Sequence, residues 1–184
     1  YFNNDVKDYL SRTNYPNVSV RNIDRALFRG FEASVGYDVG WGYFDLGGTI
    51  YDKTEFCTEQ RAGLTCLPSG IPNGYAQMHL PPRKSATLTA GVRMLDDALE
   101  AGGRVTYVGS RGSMTTAETG GFTTVVNWEK YTLLDLFASY KVNDSVNIDV
   151  AVDNVTDVYY MDALTLGLMP SPGRTFRLNM TAKF

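Results

Sequence analysis

Nearly every segment of this chain alternates apolar and polar residues in twos, and that pattern limits the fold more than any other feature. In GRTFRLNMTAKF, residues 173–184, Phe176, Leu178, Met180, Ala182 and Phe184 fall on one face. Arg177, Asn179, Thr181 and Lys183 fall on the other. A strand repeats every two residues, so this is a strand with one apolar and one wet side. SVNIDVAVDNV (145–155) repeats the pattern, with Val146, Ile148, Val150 and Val152 against Asn147, Asp149 and Asp153. KSATLTAGVRM (84–94), LLDLFASYKV (133–142) and GFEASVGYDV (30–39) do the same, although Leu133 and Phe137 interrupt the wet face of the second. No stretch sustains a 3.6-residue period; the best candidate, EKYTLLDLFASY (129–140), also reads in twos.

The connections alternate in length. Short reversals rich in Gly, Asn and Asp fall near 39–43, 95–99 and 142–146. Longer ones, near 12–17, 58–82, 111–127 and 157–172, collect Pro, Gly, Ser and Thr. Short turn followed by long loop is the signature of an up-and-down antiparallel barrel whose two ends differ. The pattern predicts about eight strands, near 1–11, 18–39, 42–57, 83–95, 98–110, 128–142, 145–156 and 173–184. The second and third are the longest, well beyond the ~9–11 residues that a bilayer requires, so they project beyond it.

The bulk properties agree. The formal net charge of −3 argues against a nucleic-acid binder with a basic surface. Mean hydropathy is −0.20 and no apolar run is long enough for a membrane helix. That does not bear on a membrane barrel, whose strands are apolar only at alternate positions. Twelve tyrosines suit both strands and water–lipid boundaries. The chain opens YFNNDVKDY without Met or a signal peptide, and reads as a piece of a longer precursor. Trp41, Tyr43, Phe44, Tyr140 and Phe184 gather at the short-turn end. Phe56, Trp128, Tyr131, Tyr159 and Tyr160 lie toward the long loops, so two girdles are expected. A soluble sandwich with ordinary core aromatics is the competing reading. It must explain why the apolar face runs through every strand.

Cys57 and Cys66 stand in FCTEQRAGLTCLPSG. Two thiols alone make a poor zinc site, which wants four ligands. A disulfide closing one loop in an oxidising compartment is favoured over free thiols. It would stabilise by at most about 3 kcal/mol.

Three segments resemble the TonB-dependent outer-membrane receptors. DNVTDVYY (153–160) is similar to that family's penultimate-strand signature through Asn154, Thr156, Asp157 and Tyr160, with Val155 in the usual Leu place. PGRTFRLNMTAKF resembles the last strand, through Pro172, Gly173, Arg174 and the terminal aromatic Phe184. ALFRGFEASVGYDVG (26–40) resembles an earlier strand through Ala26, Gly30 and Glu32. The order and approximate spacing are the family's. The segment MDALTLGLMPSPGRTFRL looks closest to haem and haemophore receptors.

The resemblance implies a transmembrane antiparallel barrel, here the last eight or so strands of a 22-stranded plugged one. On that reading, residues 1–184 are the C-terminal barrel portion, without the plug domain or TonB box. It implies a cell outer-membrane location in a Gram-negative bacterium and transport without enzymatic chemistry. The cargo would be haem, a haem-carrier protein or a ferric siderophore, with no permanently bound cofactor. The implied partners are the lipid bilayer, lipopolysaccharide, the TonB complex through the missing N-terminal region, and the outer-membrane insertion machinery, which reads the closing aromatic. A small eight-stranded structural or adhesive barrel is the alternative from another class.

No catalytic or metal constellation is apparent. His79, the single histidine, has the chemistry of a haem ligand, yet no matching motif surrounds it in GYAQMHLPPRK, which favours a loop-structural role. Tyr159, Tyr160 and Met161 sit where they could line a substrate path or belong to the girdle. Arg21, Arg25 and Arg29 share a strand face, expected to be the lumen, where pairing along the wall with Glu32 or Asp38 is favoured over pairing with the plug or attracting an anionic ligand such as haem propionates. Loop 58–82 is the best candidate for extracellular contact.

Overall fold

The alternating segments become strands of a single sheet. The computed structural model describes residues 1–13, 19–60, 63–68, 80–111, 129–162 and 169–183. Its strands are β1 (Phe2–Thr13), β2 (Ser19–Asp38), β3 (Gly42–Gln60), β4 (Gly63–Leu67), β5 (Lys84–Met94), β6 (Leu99–Val108), β7 (Tyr131–Lys141), β8 (Val146–Asp153) and β9 (Thr175–Ala182). They form one 9-stranded antiparallel sheet in the order β1-β2-β3-β5-β6-β7-β8-β9, with β4 beside β3 off that path. No described helix is long and apolar enough to cross a membrane.

Each short reversal has its own turn chemistry. Gly40 takes φ +87°, and its N–H donates to the Asp38 carboxylate at 2.8 Å. Leu95, Asp96 and Asp97 all take positive φ, which Asp tolerates better than Leu. The Asn143 side-chain oxygen accepts the N–H groups of Ser145 and Val146, both at 2.9 Å.

The apolar positions are in lateral register. Val35 pairs with Leu46, Leu46 with Leu88, Leu88 with Val105 and Val105 with Leu134. Farther along, Leu136 pairs with Val152 and Val152 with Phe176. This belt is open: Val35 is 55 % exposed, Leu46 43 % and Leu178 75 %. A sandwich would bury such a face beneath a second sheet. The described residues form only one sheet, and an exposed apolar surface this continuous marks an interaction face. The soluble-sandwich reading therefore fails. The small closed barrel is not formed either: among the described residues β1 pairs only with β2 and β9 only with β8, so the sheet is open.

Several expectations need correction. The stretch 58–82 is not all loop. β3 continues to Gln60 and returns as β4, which takes the edge of β3 beyond the end of β5. Gly63, with φ +106°, is a hairpin glycine rather than a loop glycine. The penultimate strand ends at Asp153, and the signature after it is a turn. Phe56 is no girdle residue. It is fully buried with Ile23, Ala26 and Leu80, and packs edge-on against Phe28 and Tyr9. Ala26 and Phe28 share a β2 face with Glu32 and Ser34, so this small core lies on the wet side of the sheet.

Arg25 and Arg29 also lie on the face opposite to the one expected. β2 pairs regularly with β1 from Arg25 to Gly30 and with β3 from Gly30 to Asp38. Odd-numbered residues therefore share one side, and Arg25 and Arg29 stand with Phe31, Val35 and Tyr37. Their partners are Asp5 and Asp52, not Glu32 or Asp38. The strand outruns the belt, so its outer face is wet again at this height.

Candidate functional site

The wet face carries the polar groups that a lumen wall would present. Near the short turns, Arg93 donates to both Asp38 oxygens at 2.9 Å and to the Gly40 carbonyl at 2.7 Å. Its guanidinium also lies 4.8 Å from the centre of the Tyr43 ring, and the Tyr43 hydroxyl donates to Glu100 at 2.7 Å. Tyr43 thus belongs to the wet face rather than to the girdle. Farther round, the Ser139 hydroxyl donates to Asp149 at 2.7 Å, and Asn147 and Asn179 donate to the same carboxylate. Arg177 donates to Asp153 at 2.7 Å. These groups are mutually satisfied, which gives a rigid polar surface rather than a reactive centre.

Aromatic rings of this face lie over glycines directly opposite them. Phe2 faces Gly30, Tyr43 faces Gly91, and Phe137 faces Gly102. A Cβ on Gly91 would stand 2.8 Å from the Tyr43 ring, and one on Gly102 would stand 2.6 Å from Phe137. The missing side chains let the rings lie flat along the wall. This explains Phe137, which interrupts the alternation in the sequence.

The signature residues meet in one turn. Asn154 is 2 % exposed and takes φ +49°. Its side-chain amide donates to the Val158 carbonyl and accepts the Val158 N–H, both at 2.9 Å. Its own N–H donates to Asp135 of β7 at 2.8 Å. Asp157 accepts the Arg174 N–H at 2.8 Å and faces the Arg174 guanidinium at 4.0 Å. A Cβ at Gly173 would come 2.7 Å from that carboxylate. Asn154, Asp157, Gly173 and Arg174 therefore form one clasp between the end of β8 and the start of β9. Thr156 lies in the turn, and Pro172 leads into the second half of the clasp.

At the long-loop end, the Arg111 guanidinium donates to the Leu80 carbonyl, which ties the approach to β5 to the exit from β6. Burial pulls the Arg111 pKa below its ordinary value, and nearby Asp162 pushes it back up. The rings of Tyr131 and Tyr160 are 4.6 Å apart, while Tyr159 is 76 % exposed. Of the tyrosine pair at the rim, one is packed on the wall and the other is free to meet solvent or ligand. His79, Trp128 and Phe184 lie outside the described residues. Cys57 and Cys66 are bonded to each other and stand directly opposite in the β3–β4 ladder, 4.0 Å apart at Cα. Glu55 is close to both sulfurs, but bonded sulfurs are not thiolate ligands, so no metal site follows.

The model of the barrel domain described as TonB dependent receptor-like matches residues 1–155. The chain belongs to the TonB-dependent receptor family. Its members are transporters rather than enzymes. Along its whole length this receptor chain is 26 % identical to the hemophilin receptor of Acinetobacter baumannii, and it spans 20 % of that protein. Among solved structures it resembles the FrpB iron transporter of Neisseria meningitidis, with a TM-score of 0.71 and 21 % identity, over 98 % of this chain and 26 % of that one. It also resembles the siderophore receptor PirA of Acinetobacter baumannii, with a TM-score of 0.66 and 19 % identity, over 100 % of this chain and 29 % of that one. The receptor chain thus spans about a quarter of the length of these relatives. Within that fold the apolar belt is the lipid-facing side and the polar face is the lumen wall.

Proposed function

We propose that this chain supplies the closing strands of an outer-membrane receptor that imports an iron source by TonB-dependent transport, with haem or a haem-carrier protein as cargo. The observation that carries the reading is the 26 % identity, along the full chain, to a receptor whose name points to a haem carrier. The geometry supports a passive wall. Its polar groups are paired with one another, so transport would rely on a plug moving within the lumen and on capture by the outer loops. On this reading the plug and the TonB box would precede these strands, and the TonB complex would engage the receptor there as a separate partner. The seam strand β9 would close on the first strand of the complete barrel, and Phe184 would mark it for the insertion machinery.

The test is a titration of the full receptor with haem, followed in the Soret band, alongside growth on haem or haem proteins as sole iron source. A Soret shift and growth that depends on the receptor are expected. If neither is seen, the haem reading fails. The likeness to the siderophore receptor PirA supports a second reading, a ferric siderophore as cargo. Competition with a ferric catecholate in the same titration separates the two.

A further inference from the structure

The outer parts of β1, β2 and β3 reverse the order found in the belt. Along the belt the apolar side chains point outward, as lipid requires. Above Gly30 the ion pairs Arg25–Asp5 and Arg29–Asp52 stand on that outward side instead. The buried cluster of Ile23, Ala26 and Phe56, with Tyr9 and Phe28 packed against it, lies on the inner side. Water surrounds a wall that has left the lipid, so its apolar residues gather inward. The strands do not complete this cluster by themselves. Its fourth buried member is Leu80, 3 % exposed, which lies on the approach to β5 and in no strand.

Leu80 gives its side chain to the cluster and its carbonyl to another part of the wall. That oxygen accepts a hydrogen bond from the Arg111 guanidinium, on the exit from β6. Pro81 and Pro82 follow Leu80. Each fixes φ near about −65°, so the step from Leu80 to Arg83 is stiff. At its far end the Arg83 N–H donates to the Ser110 carbonyl at 3.3 Å, and the Arg83 carbonyl accepts the Tyr51 N–H at 3.0 Å. A displacement of Leu80 is therefore felt at the foot of β5.

On its other side Arg111 meets the segment that follows β8. Val108, three residues earlier, stands opposite Tyr131, the first residue of β7. The Tyr131 ring packs on Tyr160 at 4.6 Å, and Asp162 comes two residues after Tyr160. Burial lowers the Arg111 pKa, and the Asp162 charge is the strongest influence raising it again. The Tyr160 carbonyl accepts the Ser171 N–H at 2.9 Å, which fixes this segment in turn. No ladder among the described residues joins β5 to β8; β6 and β7 lie between them. A guanidinium has five N–H donors in a rigid fork, so it can serve acceptors on two sides at once. Half-buried, it needs both: the carbonyl supplies a hydrogen bond, and the carboxylate offsets the charge.

We propose that Arg111 is a coupling residue between two outer connections, held in place by Asp162 and the Tyr131–Tyr160 pair and in turn holding Leu80 in the cluster of the β1–β3 extension. Disturbing the segment after β8 loosens the approach to β5. The reverse also holds, because a coupling free energy is reciprocal. Contact made with one outer connection is thereby registered at the other. The inference concerns the wall alone and is independent of the cargo.

The test is amide hydrogen exchange of the complete receptor in detergent, with no cargo present. Two amides report. Arg83 follows two prolines, and Ser171 lies between Pro170 and Pro172, so each signal is isolated from neighbouring amides. Asp162→Asn should speed exchange at Arg83 by roughly fivefold or more, and Leu80→Ala should do the same at Ser171. In an Arg111→Gln background both amides should already exchange fast, and neither second substitution should add more than about twofold. The Val105 amide, within the belt, should stay as in wild type. Heat-dependent electrophoretic mobility checks that each variant is folded. Should Asp162→Asn or Arg111→Gln not fold, Tyr160→Ala and Arg111→Lys take their places, since an ammonium lacks the fork that reaches both sides. Wild-type exchange at Arg83 in a folded Asp162→Asn receptor would overturn the coupling. So would wild-type exchange at Ser171 in Leu80→Ala, equal effects with and without Arg111, or a rise at Val105 as large as at Arg83. The haem titration is read separately, and its outcome does not bear on these exchange rates.

Discussion

The Asp157 carboxylate accepts the backbone N–H of Arg174 at 2.8 Å, which joins two sequence motifs separated by a long connection. The contact holds the start of β9 beside the end of β8, so it helps fix the register between these two strands. Gly173 makes it possible, because any Cβ there would meet the same carboxylate at 2.7 Å. Gly173→Ala should therefore displace Asp157 and weaken the junction between β8 and β9. The expected loss is about 1 kcal/mol, the usual net worth of one hydrogen bond. Urea melts of the complete receptor in detergent would show it, and Asp157→Ala should match it. If Gly173→Ala destabilises further in an Asp157→Ala background by the same amount as in wild type, the clash is not the cause.

Asn154 makes a stronger case, since it is buried and bridges both backbone groups of Val158. Asn154→Ala leaves the Val158 N–H and C=O without their partner and puts a less tolerant residue at positive φ. The expected cost is about 1–3 kcal/mol. Asn154→Asp keeps the acceptor for Val158 N–H but sets a buried carboxylate oxygen against the Val158 carbonyl and beside Asp135, so it should cost at least as much as alanine. An Asn154→Ala receptor as heat-resistant as wild type would show that the signature has another purpose than bracing the turn.

Much of this was legible in the sequence, for a physical reason. A period of two assigns Leu88, Val105 and Val150 to one face and Thr89, Arg104 and Asp149 to the other without further information. The pattern does not say where a strand leaves the membrane. Charge alone points Arg25 and Arg29 to the lumen, although an even spacing from Phe31 puts them outside. Tyr43 and Phe56 are aromatic wherever they point, and composition could not separate a girdle ring from one lying over Gly91 or packed on Ala26. The β3–β4 hairpin was hidden because its strand residues Thr58, Glu59 and Gln60 are polar, and Gly63 looks like a loop residue until its partner Gln60 is known.

The disulfide closes that hairpin between directly opposed residues, so its effect should be local. Cys57→Ser should release β4 from β3 and expose the segment after Gln60 to protease. The transmembrane strands β5 to β9 make no ladder contact with β4 and should stay folded. The link is worth at most about 3 kcal/mol to the hairpin. Limited proteolysis with and without reductant, beside heat-dependent mobility of the barrel, reads both parts. Failure of the variant to insert into the membrane would contradict a purely local role.

The rings over glycines allow the cleanest separation of causes. The nearest atoms to a Cβ on Gly91 all belong to the Tyr43 ring, at 2.8–2.9 Å, with no backbone among them. Gly91→Ala should therefore force Tyr43 off the wall and strain its bond to Glu100, at a cost of about 1–3 kcal/mol, as overpacking typically does. In a Tyr43→Ala background the same change has no ring to meet. It should then be neutral, or slightly stabilising, because alanine restricts the unfolded chain more than glycine. A double-mutant cycle on the complete receptor isolates the coupling. Gly102 supplies the contrast: a Cβ there would meet the Ala90 carbonyl as well as Phe137. Gly102→Ala should stay destabilising even with Phe137→Ala, since no side-chain change moves a neighbouring strand's backbone. Equal rescue at both glycines would mean that the rings alone set the requirement. No rescue at Gly91 would mean that they do not set it at all.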